Sequence, residues 1–312
     1  MGCVEALCVS ARKGERKRPV ESVELRAEHG IEGDAHAGSW HRQVSLLATG
    51  DVEEARRAGL EVAPGDFAEN ALVSGLDLGA LGLGSRLRLG AEAVVSITQI
   101  GKACHEPCAV GRRLGDCLMP RRGLFARVEA GGTVRAGDAV EAVETVGREC
   151  LQVVVLTISD RCSRGEAEDT AGPAVAARAE AALGAHVYAR EVLPDERERI
   201  AARLAHYCDG HSIDLVVTAG GTGFSSRDVT PEATREVVER FAPGLDEAMR
   251  AASMAKTPHA VLSRGASGIR GSTLVLNVPG SERGAVECFE AVAGSLGHGL
   301  YLLRGKNDAH GR

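Results

Sequence analysis

Across the first 147 residues, apolar and polar positions alternate in short runs near Glu5 to Val9, Val20 to Leu25, Val44 to Leu47, Leu83 to Leu89 and Ala93 to Thr98. A period of two marks half-buried strands, and glycine turns separate these runs. Leu124 to Val128 and Thr133 to Val140 flank Gly131-Gly132, which predicts a two-residue hairpin. One helix is expected from Asp51 to Arg57. Together these features predict a mostly-β, barrel-like domain or compact sandwich.

The pattern changes around Val146 to Cys150. Strand-like runs at Gln152 to Ser159, His186 to Leu193, Asp214 to Thr218 and Thr273 to Val278 alternate with stretches of helical period. Val175, Ala179 and Leu183 share one helical face, as do Ile200 and Leu204. A βαβ order implies an α/β three-layer fold, a mostly parallel sheet with helices on both faces. Two domains are therefore expected, 1–147 and 151–304, followed by a tail at 305–312.

Composition narrows the function. The chain of 312 residues is long enough for two cores, and its formal net charge of -6 argues against nucleic acid as a partner. Nine cysteines, odd in number and irregularly spaced without a secretory signal, fit reduced thiols in a cytoplasm. No apolar run approaches the roughly 18 residues of a membrane span. Met1-Gly2-Cys3 hints at myristoylation, but Ala6 stands where that motif wants Ser or Thr. A soluble, cytoplasmic protein without membrane partners is expected.

The chemistry concentrates between Leu215 and Thr234. A β-branched run ends in Gly220, Gly221 and Gly223, whose freedom at positive φ lets backbone N–H groups form an anion-holding concavity. Thr230 is the expected N-cap and Pro231 the first helical position. Arg227 is placed to pair with an anion and Asp228 to hold a metal; a tight turn with Asp228 as a second cap is the bland alternative.

Three other strand ends are similarly decorated: Ser159-Asp160-Arg161 with Arg164 and Asp169-Thr170 beyond, Pro194-Asp195, and Pro279-Gly280-Ser281. Ligands of parallel sheets lie outside the carboxyl ends of the strands, so these segments converge if the ends share one rim. Taken singly, Asp195 with Glu198 reads as a helix cap and Asp160 as an Asx-turn.

In the first half, Arg12 to Arg18 is a basic run, read mainly as a solvated loop. Gly33 to Gly38 and His41 to Ser45 form a histidine-bearing segment entering a strand. Cys104-His105-Glu106-Pro107-Cys108, with Cys117 further on, lacks the second ligand pair of a structural zinc site. A reactive thiol is better motivated, because Lys102 and His105 flank Cys104 and favour its thiolate.

Lys17 to Val20, Gly33-Asp34-x-His36-Ala37-Gly38, Arg42-Gln43-Val44-Ser45-Leu46, Gly65-Asp66-Phe67-x-Glu69-Asn70 and Gln99-x-Gly101-Lys102-x-Cys104-His105 resemble a MOSC domain. That resemblance implies a β-rich module handling the molybdenum cofactor, with Cys104 bearing sulfur or facing metal. Cys108 and Cys117 have no place in the pattern.

Thr157 to Arg161, Leu193 to Glu196, Thr218 to Gly223, Arg227 to Ala233, Leu262-Ser263-Arg264 and Leu276-Asn277-x-Pro279-Gly280-Ser281 resemble the MogA/MoaB family of molybdopterin adenylyltransferases across 151 to 304. The resemblance implies ATP and molybdopterin as substrates, with Asp195 and Asp228 catalytic through Mg²⁺. It also implies that Gly220, Gly221, Thr222 and Gly223 cradle phosphate or pterin, and that Arg227 and Arg161 pair with phosphate. Ser159, Asp160, Ser263, Pro279, Gly280 and Ser281 complete the rim, while Arg264 and Arg270 hold anions or are surface charges. Molybdenum insertase and molybdoenzymes are the implied partners, and a homo-oligomer, a trimer through the second half, the implied assembly. The alternatives are a non-catalytic molybdopterin carrier or scaffold, and sulfur transfer led by the MOSC half.

Overall fold

The computed structural model describes residues 1–101, 112, 117–210 and 212–305. These belong to two units, Met1–Glu149 and Cys150–Arg312.

In chain order the first unit contributes β1 (Gly2–Val9), β2 (Arg18–Val20), β3 (Ser22–Arg26), β4 (Gly30–Ile31), β5 (Val44–Ala48), β6 (Ala71–Ser74), β7 (Arg86–Leu89), β8 (Ala93–Ile100), β9 (Leu124–Ala130), β10 (Gly132–Arg135) and β11 (Ala139–Glu144). Burial follows the period of two: Leu87 and Leu89 point inward from β7, as do Val23 and Leu25 from β3. Strands β11, β7, β8, β9, β5, β6 and β1 form a ring that closes where β1 pairs with β11, and β2 is added outside β1. Closure leaves the ring without a free edge. Pairing is antiparallel except between β5 and β6, where the helix Thr49–Arg57 supplies the crossover that parallel neighbours require.

The hairpin expected at Gly131-Gly132 does not form. Strand β10 pairs with β3 rather than β9, and the run Thr133 to Val140 is split between β10 and β11. A Cβ on Gly131 would lie 2.7 Å from the Leu25 carbonyl oxygen, so this glycine serves close packing on β3.

The second unit adds β12 (Gln152–Ile158), β13 (His186–Leu193), β14 (Leu215–Ala219), β15 (Arg240–Phe241), β16 (Gly268–Arg270) and β17 (Thr273–Val278). Sheet order is β13-β12-β14-β17-β16-β15. The first four strands run parallel, and β16 and β15 extend the sheet antiparallel. Every residue of β12 is buried, as suits a central strand covered on both faces. Helices Ala171–Leu183, Pro243–Met254 and Glu282–Leu303 share one apolar core, with Val175, Met249 and Phe289 packed near Val153, Val217 and Leu276. Helices Arg197–Gly210 and Thr230–Val237 pack on each other and on the sheet, burying Ile200 and Leu204. Register brings the strand ends level: Ile158 is opposite Leu193, Thr157 opposite Ala219, and Ala219 opposite Val278. No helix among the described residues is long and apolar enough to cross a membrane.

Candidate active site

The level strand ends bring the loops after β12, β13, β14 and β17 to one rim. Ser159 caps the short helix Asp160–Ser163, accepting from the Cys162 amide at 3.2 Å. Neither Asp160 nor Asp195 acts as the simple cap or turn that its local sequence allows. The Asp160 amide donates to Asp195 Oδ2 at 2.8 Å, and the Asp195 amide donates to Asp160 Oδ1 at 3.1 Å. Arg227 grips Asp160 through Nε and Nη2, both at 2.9 Å, and this pairing keeps the Asp160 carboxyl below its ordinary range. Burial pushes Asp195 the other way, and the negative charges of Asp160 and Asp228 add to the rise.

Close backbone contacts explain the glycines. Gly220 has φ +116°, and a Cβ there would meet the Ile158 carbonyl oxygen at 2.2 Å. A Cβ on Gly280 would approach the Gly220 Cα at 3.2 Å, so the loops after β14 and β17 touch. Asp228 Oδ2 accepts from the Ser225 amide at 2.8 Å and tightens the loop rather than capping the next helix. Arg264 holds the same loop, donating to the Gly223 carbonyl at 2.7 Å, to the Asp228 carbonyl at 2.6 Å, and to Glu232. Arg270 grips Asp209 and the Val237 carbonyl instead. The helix Thr230–Val237 has Pro231 in its first turn, but its N-cap is Val229 and no side chain caps it. Thr230 was expected to do so.

Two cavities flank the touching loops. A polar one of about 210 Å³ is lined by Ser159, Asp195, Gly220, Gly221, Asp228 and Gly280, with Glu168 to Thr170 also on its wall. The other, about 280 Å³, is lined by Thr222, Gly223, Ser263, Pro279 and Ser281 together with Met249 and Leu262. Asp160, Arg161 and Arg227 stand outside both linings, and Arg161 is exposed.

Sequence reasoning gave no role to Cys162, which lines the polar cavity, and assigned no contact to Asp169. Asp169 accepts from Thr157 Oγ1 at 2.8 Å and from the Gly172 amide at 2.9 Å. The signal for this contact was Gly172, since a Cβ there would meet both Asp169 Oδ2 and Thr157 Oγ1 at 2.4 Å.

Among the described residues, no group of three or more His, Cys, Asp or Glu side chains is arranged to hold a metal ion. Two carboxylates lining one polar cavity suit Mg²⁺, which takes one or two carboxylates and fills its remaining positions with water and phosphate oxygens. Burial is the main reason the Asp195 pKa is raised, and the lesser contribution from the Asp160 and Asp228 charges is one that a cation would relieve.

In the first unit, Lys17 is fully buried and departs from the solvated loop expected of its basic run. Its ammonium donates to Asp34 Oδ2 at 2.6 Å and lies 3.2 Å from His36 Nδ1. Asp34 also accepts from the Ser10 and His36 amides at 3.0 and 2.9 Å. Burial works against the ionised Asp34, but the His36 and Lys17 donors outweigh it and hold its pKa down. Ser45 Oγ donates to Asn70 Oδ1 at 3.0 Å, and Asn70 Nδ2 donates to the Cys8 carbonyl at 3.0 Å. The motif residues thus build two polar clusters, one around Asp34 and one around Asn70. Cys104, with Lys102, His105 and Cys108, lies outside the described residues.

A closed β-barrel unit and an α/β unit whose glycine loop and two aspartates line one polar cavity define a two-module protein. Residues 154–298 match the probable molybdopterin binding domain, and residues 33–141 match the MOSC domain. A Helicobacter pylori molybdopterin adenylyltransferase is 40% identical over 158 residues, spanning 50% of this chain and 90% of that protein. The Drosophila melanogaster molybdenum cofactor synthesis protein cinnamon is 39% identical over 155 residues, 50% of this chain but only 26% of the fly protein. The crystal structure of the molybdopterin biosynthesis enzyme MoaB from Thermus thermophilus is 47% identical, with a TM-score of 0.48 over 50% of this chain and 98% of that one. The chain belongs to the MogA/MoaB family of molybdenum cofactor biosynthesis proteins and carries a MOSC domain at its N-terminal side.

Proposed function

We propose that the second unit is a molybdopterin adenylyltransferase. An oxygen of the terminal phosphate of molybdopterin attacks the α-phosphorus of ATP, the bond from that phosphorus to the bridging oxygen breaks, and pyrophosphate leaves. The observation that carries this reading is the placement of Asp195, Asp228, Gly220, Gly221 and Gly280 around one polar cavity, with a second cavity across the same loops. Such a pair of compartments suits a reaction that joins two phosphorylated molecules.

A phosphate monoester has a second pKa near ~6, so the attacking oxygen is already ionised at neutral pH and no general base is required. In-line displacement at phosphorus depends mainly on positioning and charge neutralisation. Asp195 and Asp228 would hold Mg²⁺, which when bound neutralises phosphate charge. The Gly220 to Gly223 amides line the path of the phosphates, and Thr222 can add its hydroxyl. Ser159, Ser263, Pro279 and Ser281 bound the two compartments. Asp160 and Arg227 lock each other beside the polar cavity, and Arg227 is available to turn toward phosphate.

The MOSC unit would receive the adenylylated pterin or finished cofactor and act on its sulfur or metal through Cys104. On this reading the protein works in the cytoplasm as a homo-oligomer, upstream of a molybdenum insertase and molybdoenzymes. Incubation with molybdopterin, ATP and Mg²⁺ should release pyrophosphate. Pterin binding without pyrophosphate release would leave a carrier or scaffold in place of the enzyme.

A further inference from the structure

Of the arginines and lysines among the described residues, only Arg250 lines either rim cavity. It belongs to the helix Pro243–Met254, whose Asp246, Met249, Arg250 and Ser253 recur at helical spacing and turn one face to the larger cavity. Arg161 and Arg227, the arginines expected to meet phosphate, stand outside both linings.

Arg250 is half-buried, and among the described residues no hydrogen bond or ion pair claims its guanidinium. The two carboxylates that share its cavity are already committed. Asp246, one turn earlier, accepts from the Ser267 amide at 2.8 Å and from the Ser267 hydroxyl at 2.7 Å. Burial raises the Asp246 pKa, and the charge of Arg250 works against that rise. Glu287 is paired with Lys256 at 3.0 Å and with Arg283 at 2.9 Å. Met249, Ala260, Leu262 and Pro279 make much of the remaining wall apolar. A guanidinium partly withdrawn from water without a partner carries a desolvation cost that a bound anion offsets.

The two linings differ in the ligand they suit. Asp195 and Asp228 bring acceptors to the polar cavity, which suits a nucleotide that arrives with its metal. The larger cavity combines apolar walls for a flat ring with one unclaimed cation, and Thr222, Gly223 and Ser281 set it against the loops it shares with the polar cavity. Arginine's planar fork matches two oxygens of a phosphate group at once.

We propose that Arg250 is the phosphate-pairing residue of the pterin compartment: its guanidinium takes two oxygens of the terminal phosphate of molybdopterin and leaves the third for attack. The inference rests on the reading of the second unit as a molybdopterin adenylyltransferase.

The test is binding to the full chain, without ATP, of molybdopterin and of molybdopterin stripped of its phosphate by a phosphatase. Wild type, Arg250→Gln and Arg250→Lys are compared, with Mg²⁺-dependent ATP binding measured separately. Molybdopterin should bind about ten- to a hundredfold more weakly to Arg250→Gln. Arg250→Lys should fall between, because it keeps the charge and loses the fork. The phosphate-free pterin should bind wild type and Arg250→Gln alike, and ATP binding should be the same in all three proteins. Undiminished molybdopterin binding by Arg250→Gln would overturn the proposal. An equal loss with the phosphate-free pterin would assign the arginine to the ring, and a loss extending to ATP would assign it a structural role; either overturns the proposal as well. Failure of wild type to bind molybdopterin would instead overturn the adenylyltransferase reading, and this inference with it.

Discussion

Asp160 and Asp195 each accept the other's backbone N–H, at distances of 2.8 and 3.1 Å, although they follow different strands. This reciprocal contact fixes the loop after β12 against the loop after β13. It leaves Asp160 gripped by Arg227 and Asp195 facing the cavity. Asp160→Ala should therefore weaken Mg²⁺-dependent ATP binding without removing any cavity-lining group. Asp160→Asn keeps an oxygen that can accept the Asp195 amide and should lose less. Equal losses in the two variants would show that the carboxylate charge matters and the loop contact does not.

Asp228→Ala should lower adenylylation by at least about a hundredfold, the scale expected when preorganised charge compensation at phosphate is lost. Folding and pterin binding should be largely retained. The control is Asp228→Asn, which preserves an acceptor for the Ser225 amide while removing the charge. Normal turnover by either variant would refute the metal-holding role.

The pH dependence of metal binding should report Asp195. Burial and the neighbouring Asp160 and Asp228 charges raise its pKa above the ordinary 3.8. Protons then compete with Mg²⁺ at higher pH than at an ordinary aspartate, so affinity should fall with acidification while exposed carboxylates are still ionised. Mg²⁺ titrations across the acid range should show this loss in wild type and a different profile in Asp195→Asn.

Glu69 provides the opposite kind of pH test, on stability. It is fully buried, and its two oxygens accept from the Gly65 and Phe67 amides at 2.5 and 3.1 Å. Burial nevertheless pushes its pKa from 4.5 up to about 7. Between those values the folded protein holds a proton that the unfolded chain releases. Its stabilising contribution is thus complete below 4.5 and is lost as pH rises through about 7. The slope from one such proton approaches about 1.4 kcal/mol per pH unit. Denaturant unfolding of wild type minus Glu69→Gln should show that falling difference, and a flat difference would place the proton elsewhere.

Much of the second unit is legible in the sequence because its central parallel strands β12, β14 and β17 are buried on both faces and read as largely apolar runs. His186–Leu193 and Thr273–Val278 have the same bounds in pattern and structure. Strands β15 and β16 span only two and three residues, too short to show a period. Gly131-Gly132 reads alike whether it turns a hairpin or admits a neighbouring strand. At the rim, the sequence names the aspartates but not the contacts that orient them. Thr230 has the sequence of a cap, yet Val229 takes that position and Thr230 is the first residue of the helix. Arg264 looks like a surface charge until the carbonyls of Gly223 and Asp228 are found within its reach.

Lys17 is the clearest case of a side chain whose role depends on a distant partner. Within a basic run it reads as solvated, yet Asp34, 17 residues further on, draws it into the interior. Removing one member of a buried ion pair leaves an uncompensated charge, which typically costs about 3–5 kcal/mol. Lys17→Met should therefore destabilise the protein on that scale, with Asp34 left facing an apolar side chain. Adding Asp34→Asn removes the stranded charge while retaining an oxygen for the Ser10 or His36 amide, so the double variant should recover part of the loss. Chemical denaturation of wild type, both single variants and the double variant closes this cycle. A double variant no more stable than Lys17→Met would show that the lysine contributes through packing rather than by pairing with Asp34.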